Sequence, residues 1–138
     1  MSSHYAKKLG KIGETIAVNY LRKQGYRLLK RNFSIPGGEI DIIANLRGNI
    51  VFFEIKTRRR PVGQFPCSNQ HDLKFGQAEE QISFRQKTCL LRSARVFLAQ
   101  GNFYPCSWQF DLISINLQWS GSFIPRARLI HWKNIFAE

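Results

Sequence analysis

The fold of this chain is decided by two stretches that follow each other closely, Glu39-Ile-Asp-Ile-Ile-Ala-Asn45 and Asn49-Ile-Val-Phe-Phe-Glu-Ile-Lys56. Both are rich in β-branched and aromatic residues, a composition that is typical of strands. Between them lies Arg47-Gly48, and glycine readily takes the positive φ that a two-residue hairpin turn requires. The sequence therefore predicts two antiparallel strands joined by a tight turn.

A turn at residues 47–48 fixes the register of the predicted hairpin. It sets Asp41 opposite Glu54, and Glu39 opposite Lys56, on one face. Directly opposed side chains have Cβ atoms about 4.5–5.5 Å apart, so the two carboxylates would repel each other unless a divalent cation offset the repulsion. The register is supported independently because the other face would be wholly apolar, formed by Ile40, Ile42, Ala44, Val51, Phe53 and Ile55.

The composition bounds the class of protein. A length of 138 residues suits one domain with a substantial core, so a single domain is expected over residues 1–138. A hydrophobic content of 43% excludes a disordered tail. No apolar run approaches the roughly 20 residues that span a bilayer, and the first residues lack the apolar core of a signal peptide. With three widely spaced cysteines, these features predict a reduced, cytoplasmic protein without a membrane partner.

The charge balance indicates the partner. The chain has 21 Lys and Arg against 9 Asp and Glu, a formal net charge of +12, which favours binding to nucleic acid, most simply DNA. Three of those few carboxylates, Glu39, Asp41 and Glu54, would share one hairpin face. The histidines lack the spacing of a metal site and are not expected to bind metal: His4, His71 and His131.

The rest of the chain predicts an α/β fold, a mixed five-stranded sheet flanked by helices. A first helix is expected over residues 3–24, ended by Gly25, with an apolar stripe of Leu9, Ile12, Ile16 and Tyr20. On its flank, Gly10, Gly13 and Ala17 permit close approach to another backbone, and Glu14 is placed to lean over the sheet margin. Ser83 to Gln86 form a predicted capping box. The remaining expected elements are strands at 26–32, 107–116 and 126–132, a loop at 58–74, a short helix at 75–82 and a helix from Ser83 to about residue 100.

The predicted hairpin face suits metal-dependent hydrolysis of a phosphodiester. Oxygen ligands at this spacing favour Mg²⁺ or Mn²⁺, held by Asp41, Glu54 and the backbone carbonyl of Ile55. Lys56 would hold the attacking water or neutralise charge on the phosphorane. Glu14 or Glu39 could support a second metal.

The arginine run and the acidic residues each have two competing explanations. Arg58, Arg59 and Arg60 could grip backbone phosphates, or they could form an ordinary solvated run. The acids could bind metal, or Glu39 could pair with Lys56 and Asp41 with an arginine across the strands. In the second case the protein would be a non-catalytic nucleic-acid-binding module that acts as a DNA- or RNA-processing accessory. A protein–protein adaptor is a third, weaker hypothesis.

Several motifs together resemble those of the bacterial YraN-like family, which is regarded as a family of endonucleases. They cover nearly the whole chain: Gly13-Glu14-x-x-Ala17, Asn32, Gly38-Glu-Ile-Asp-Ile-Ile43, Phe53-Glu-Ile-Lys-Thr-Arg58, Phe75-Gly76, Lys87, Phe110-Asp111 and Ile130-His131 with Asn134 and Phe136. That family is similar to the archaeal Holliday-junction resolvases and carries the PD-(D/E)xK, restriction-endonuclease-like fold.

The resemblance implies a nuclease core acting on branched or structured DNA, in which Asp41, Glu54 and Lys56 match the signature and Glu14 matches the helical acid. Lys87 would join the arginines in contacting nucleic acid, and the analogy with resolvases suggests a homodimer. The chain departs from the pattern in three places: Ile40 replaces the proline before Asp41, Gln109 stands where the family tends to carry arginine, and the loop over residues 59–74 differs.

Overall fold

The computed structural model describes residues 3–60, 81–103, 106–121 and 123–137. Those residues form two long helices and five strands, in the order α1 Ser3–Lys23, β1 Arg27–Ile35, β2 Gly38–Leu46, β3 Asn49–Arg59, α2 Phe84–Gln100, β4 Trp108–Gln118 and β5 Arg126–Trp132. Neither helix is long and apolar enough to cross a membrane. The predicted loop beyond residue 60 and most of the short helix predicted at 75–82 lie outside the described residues.

The five strands form one mixed sheet in the order β1-β2-β3-β4-β5. Neighbours pair antiparallel except β3 and β4, which pair in parallel because the chain between them crosses over through α2. The helices cover opposite faces, with Ala17, Val18 and Leu21 of α1 in one apolar cluster and Leu90, Ala94 and Leu98 of α2 in the other. The predicted fold class is confirmed, and the arrangement is consistent with a restriction-endonuclease-like core.

The turn and register of the central hairpin are confirmed. Arg47 and Gly48 have φ values of 52 and 88, which is the positive pair that the tight turn requires. The Asn45 side chain accepts a hydrogen bond from the Gly48 amide at 2.9 Å. Asn45 lies opposite Ile50 and Ile43 opposite Phe52, and the paired ladder runs from the turn as far as Ile42 and Phe53.

The predicted apolar face needs one correction, at Ile40. Ile42 lies in the cluster beneath α1, as expected, but Ile40 lies in the cluster beneath α2. A Cβ at Gly38 would overlap the Ser93 hydroxyl of α2, so the first residues of β2 lie against that helix. Simple alternation therefore breaks between Ile40 and Ile42, at Asp41, and a strand irregularity of this kind is common beside functional sites.

Helix α1 has about the predicted length, but the face that it buries differs from the predicted apolar stripe. It ends at Lys23, and Gly25 follows with a φ of 92 while the Tyr26 amide bonds to the Leu21 carbonyl at 3.0 Å. Its most buried residues are Gly13, Ala17, Val18 and Leu21, whereas the predicted stripe is only partly buried. The predicted close approach to β3 is made at Gly13, which lies against the Thr57 hydroxyl, but not at Gly10, which has open space around it.

Strand β3 is longer than predicted, and this changes the setting of the arginines. It continues to Arg59, paired in parallel with β4 as far as Arg59 and Leu117. Arg58 and Arg59 therefore belong to a strand and point to opposite faces of the sheet. The expected loop begins later than residue 58 because the backbone hydrogen bonds of β4 extend this far.

Candidate functional site

Asp41 lies where strands β2 and β3 stop pairing. One step beyond the last backbone pair, its Oδ2 accepts a hydrogen bond from the Ile55 amide at 2.8 Å. The carboxylate thereby fixes the spacing between the two strands at the point where they separate. The Asp41 and Glu54 carboxyl groups are close enough to affect each other's pKa, so the structure brings together the two acids that the register predicted to be opposed.

Glu54 is held from the other side by a residue of α2. The Gln86 amide nitrogen donates to Glu54 Oε1 at 2.9 Å, and Lys56 Nζ lies 3.6 Å from the same oxygen. Lys56 Nζ also donates to the Gln86 amide oxygen at 3.4 Å. Glu54, Lys56 and Gln86 therefore form a closed triangle on the face of the sheet that α2 covers.

Sequence reasoning did not identify Gln86 as a site residue. The sequence predicts it only as part of a capping box. The cap is confirmed, because Ser83 Oγ accepts a hydrogen bond from the backbone N–H of Gln86 at 3.1 Å. The side chain, however, reaches Glu54 rather than the backbone of Ser83. The only sequence signal was an amide side chain in the first turn of a helix, and its target lies 32 residues away in the chain.

Glu14 approaches Asp41 from α1. Its side chain is 16% exposed, and its Oε2 lies 3.7 Å from Arg31 on β1, a partner that the sequence did not indicate. The negative charge of Glu14 is close enough to raise the pKa of Asp41. The site therefore receives a side chain from each of α1, β2, β3 and α2.

Burial shapes the protonation of the two central acids. Loss of water around the carboxyl groups raises the pKa of Asp41 to about 6 and that of Glu54 to about 8. The charges of Glu14 and Glu39 add to the rise at Asp41, and the charge of Asp41 adds to the rise at Glu54. The Ile55 amide opposes the shift at Asp41, and the Lys56 ammonium opposes it at Glu54. Near neutral pH the pair therefore retains a proton, which is the behaviour of two carboxylates that share one site.

Glu39 lies at the margin of the site. It is exposed on β2, and its charge adds to the rise in the pKa of Asp41. The Glu39–Lys56 pair of the alternative explanation is not among the ion pairs of the described residues, because Lys56 turns toward Glu54 and Gln86. Asp41 likewise bonds to a backbone amide rather than to an arginine.

The four basic residues expected to contact nucleic acid differ in setting. Arg58 is exposed and, by strand alternation, on the same face as Glu54 and Lys56. Arg59 faces the α1 side and lies 4.9 Å from the centroid of the Trp119 ring. Arg60 donates to Asn116 Oδ1 at 3.1 Å, and Lys87 Nζ lies 5.0 Å above the Phe136 ring.

Gln109, Asp111 and His131 belong to a separate buried network. The fully buried Asp111 accepts hydrogen bonds from Gln109 Nε2 at 2.8 Å and from the Asn134 amide at 2.8 Å, and its carboxylate lies 2.7 Å from His131 Nε2. His131 Nδ1 in turn lies 2.9 Å from the Tyr20 hydroxyl of α1. The network ties β4, β5 and α1 together, which gives Gln109 and His131 structural contacts away from the central acids.

The donor set around Asp41 fits a divalent cation of the Mg²⁺ class. Among the described residues no three His, Cys, Asp or Glu side chains are grouped as a metal site, so protein side chains alone would not surround an ion. Asp41, Glu54 and the Ile55 carbonyl could hold one, with waters completing its shell, as Mg²⁺ sites commonly do. Two adjacent acids that are partly or fully removed from water gain most from such an ion, because it offsets their charge when both are ionised.

Comparison with known proteins agrees with the motifs quoted from the sequence. The model of a family described as "Uncharacterised protein family UPF0102" matches residues 13–115, which include every residue of the central site. A UPF0102 protein of Caldanaerobacter subterraneus subsp. tengcongensis is 36% identical over 80% of this chain and 81% of its own length. Another, from Caldicellulosiruptor saccharolyticus, is 38% identical over 79% of this chain and 82% of its own length. These matches show that the chain belongs to the UPF0102 family, which is the YraN-like family.

Proposed function

We propose that this protein is a divalent-metal-dependent DNA endonuclease that hydrolyses phosphodiester bonds, with branched or otherwise structured DNA as its substrate. One observation carries the proposal: the half-buried Asp41 and the buried Glu54 meet where two paired strands separate, with Lys56 Nζ 3.6 Å from Glu54 Oε1. A cluster that costs stability in the absence of a ligand is commonly a functional site.

Each residue has a role that its contacts support. Asp41, Glu54 and the Ile55 carbonyl would hold Mg²⁺ or Mn²⁺, which when bound polarises a phosphoryl oxygen and acidifies water. Gln86 and Glu54 fix the Lys56 ammonium, so that it can orient the attacking water or neutralise charge on the phosphorane. Glu14, with Glu39 at the margin, adds negative charge that attracts a cation. Arg58, exposed on the same face, is placed to bind a backbone phosphate.

The proposal is tested with labelled linear, nicked, single-stranded and four-way-junction DNA, each incubated with Mg²⁺, Mn²⁺ or EDTA. Wild-type protein should cut at least one substrate only with metal, and Lys56→Ala should lose that cutting. Lys133→Ala, which removes the same charge from an exposed position far along the chain, should cut like wild type. Cutting that persists in Lys56→Ala or in EDTA would contradict the proposed mechanism.

A non-catalytic nucleic-acid-binding module is the second candidate, and one observation favours it. Glu54, Lys56 and Gln86 already satisfy one another, and a network of this kind can be purely structural. In that case Asp41→Asn and Lys56→Ala should leave DNA affinity unchanged, Mg²⁺ should not alter it, and salt should weaken it steeply. Binding without cutting on all four substrates would favour this candidate.

A further inference from the structure

A second candidate site lies on the opposite face of the sheet from Glu54 and Lys56. A cavity of about 300 Å³ opens between the first turns of α1 and the ends of β3 and β4, lined by Tyr5, Lys8, Leu9, Ile12, Arg59 and Trp119. Its volume is at the lower end of the range of small-molecule sites, about 300–1,000 Å³. It is large enough for one small planar group and too small for a folded partner.

The walls of the cavity present flat aromatic surfaces joined by a cation. The Arg59 guanidinium carbon lies 4.9 Å from the Trp119 ring centroid and 6.0 Å from that of Tyr5. Arg59 Nη1 also donates to the Tyr5 hydroxyl at 2.6 Å. Leu9 and Ile12 are partly buried against the α1-side core and form the apolar part of the lining. Such a combination favours a planar, polarisable ligand.

The charges around the cavity select an anionic ligand. Its lining contains Lys8 and Arg59 and no acidic residue. Lys7 and Lys11 are exposed on the same stretch of α1, and α1 has no acidic residue in its first turn. A planar group that carries a phosphate matches both properties, and a nucleotide is such a group. Base stacking on aromatic side chains beside a basic path is how many proteins hold single strands.

We propose that this cavity binds one unpaired nucleobase of a DNA strand, with the base against Trp119 and its phosphate near Lys8. The inference deepens the proposed function and rests on it for the identity of the nucleic acid. Arg59 follows Lys56 by three residues on β3, about 10 Å along the strand, and its side chain lies on the other face. A DNA strand that passes around the end of β3 could therefore contact both the cavity and the central acids. A paired base is stacked within its duplex and cannot enter. The cavity would therefore favour single-stranded or branched DNA over a blunt duplex.

The test compares strands with and without bases. In EDTA, which prevents metal-dependent cutting, fluorescence anisotropy would measure binding of a labelled thymidine oligonucleotide and of an abasic strand of equal length. The thymidine strand should bind about tenfold more tightly to wild-type protein, because each stacked base contributes substantially to affinity. Trp119→Leu, which keeps apolar bulk for the core, should abolish the difference, and Trp119→Phe should retain most of it.

Matched variants separate the cavity from general charge and from catalysis. Lys8→Ala should weaken binding of both strands more than Lys23→Ala, which removes a charge from the far end of the same helix. Lys56→Ala should keep the full preference for bases, so a failure of the nuclease proposal would leave this result standing. Equal binding of the two strands by wild type would overturn the inference. So would an unchanged preference in a Trp119→Leu protein whose thermal unfolding shows that it is folded.

Discussion

At the scale of single residues, the Asp41–Glu54 pair should make the stability of the metal-free protein depend on pH. The ordinary pKa values of 3.8 and 4.5 rise to about 6 and about 8 in the folded state. The folded state therefore binds more protons, and the contribution of the pair is complete below about pH 4 and is lost as pH rises through about 6 and about 8. We expect urea unfolding in EDTA to show lower stability near pH 8 than near pH 5.

The variant Asp41→Asn isolates that effect, because an amide oxygen can still accept the Ile55 hydrogen bond but carries no charge. Near pH 8 it should be more stable than metal-free wild type, on the order of 2 kcal/mol, since one pKa unit corresponds to about 1.4 kcal/mol. Mg²⁺ should stabilise wild type and not the variant. Equal pH dependence in the two proteins would show that the pair does not control it.

Gln86 is a positioning residue whose effect should appear in the pH profile of cleavage. Gln86→Leu removes a hydrogen bond to Glu54 and the acceptor for Lys56. We expect kcat to fall about tenfold with little change in KM, as when a supporting contact to a catalytic group is lost. The low-pH limb of the profile should shift to higher pH, because the buried Glu54 carboxylate loses a hydrogen-bond donor and its pKa rises. Arg85→Ala, at the exposed neighbouring position, should leave rate and profile unchanged.

At the scale of elements, the contact of α1 with β3 depends on the absence of a side chain at Gly13. Gly13→Ala would overlap the Thr57 hydroxyl and should destabilise the protein by about 1–3 kcal/mol, the usual cost of overpacking. Gly10→Ala, on the same helix with open space around it, should instead stabilise by up to about 1 kcal/mol. Urea unfolding of both variants measures the difference.

A second-site change provides the control for that contact. Thr57 Oγ1 is buried and has no hydrogen-bond partner among the described residues, so Thr57→Ala should cost little. In the double variant it should recover most of the stability that Gly13→Ala loses, because the overlapping atom is gone. If the losses of stability in the two single variants simply add in the double variant, the overlap with Thr57 is not what destabilises Gly13→Ala.

The same elements show how much of the molecule the sequence could predict. Local signals set the hairpin register and the start of α2, since Gly48 supplies the turn and Ser83 supplies the cap. The displacement of Ile40 was not predictable, because alternation assumes a regular strand and β2 is irregular at Asp41. Gln86 and Arg31 joined the site only through tertiary contacts, for which a single sequence has no periodic signal.

At the scale of the whole molecule, the net charge of +12 predicts that salt weakens DNA binding steeply, and the fold predicts which arginines contribute. Arg58 is exposed beside the central acids, whereas the Arg60 side chain is bonded to Asn116. Arg58→Ala should therefore lower the slope of log K against log salt by about 0.9, the value of one phosphate contact, and Arg60→Ala by less. Equal slopes for the two variants would show that DNA binding depends on the overall positive charge of the protein and not on a contact of Arg58 with one phosphate. A larger effect of Arg60→Ala would place the DNA beyond the end of β3, away from the face that carries Glu54 and Lys56.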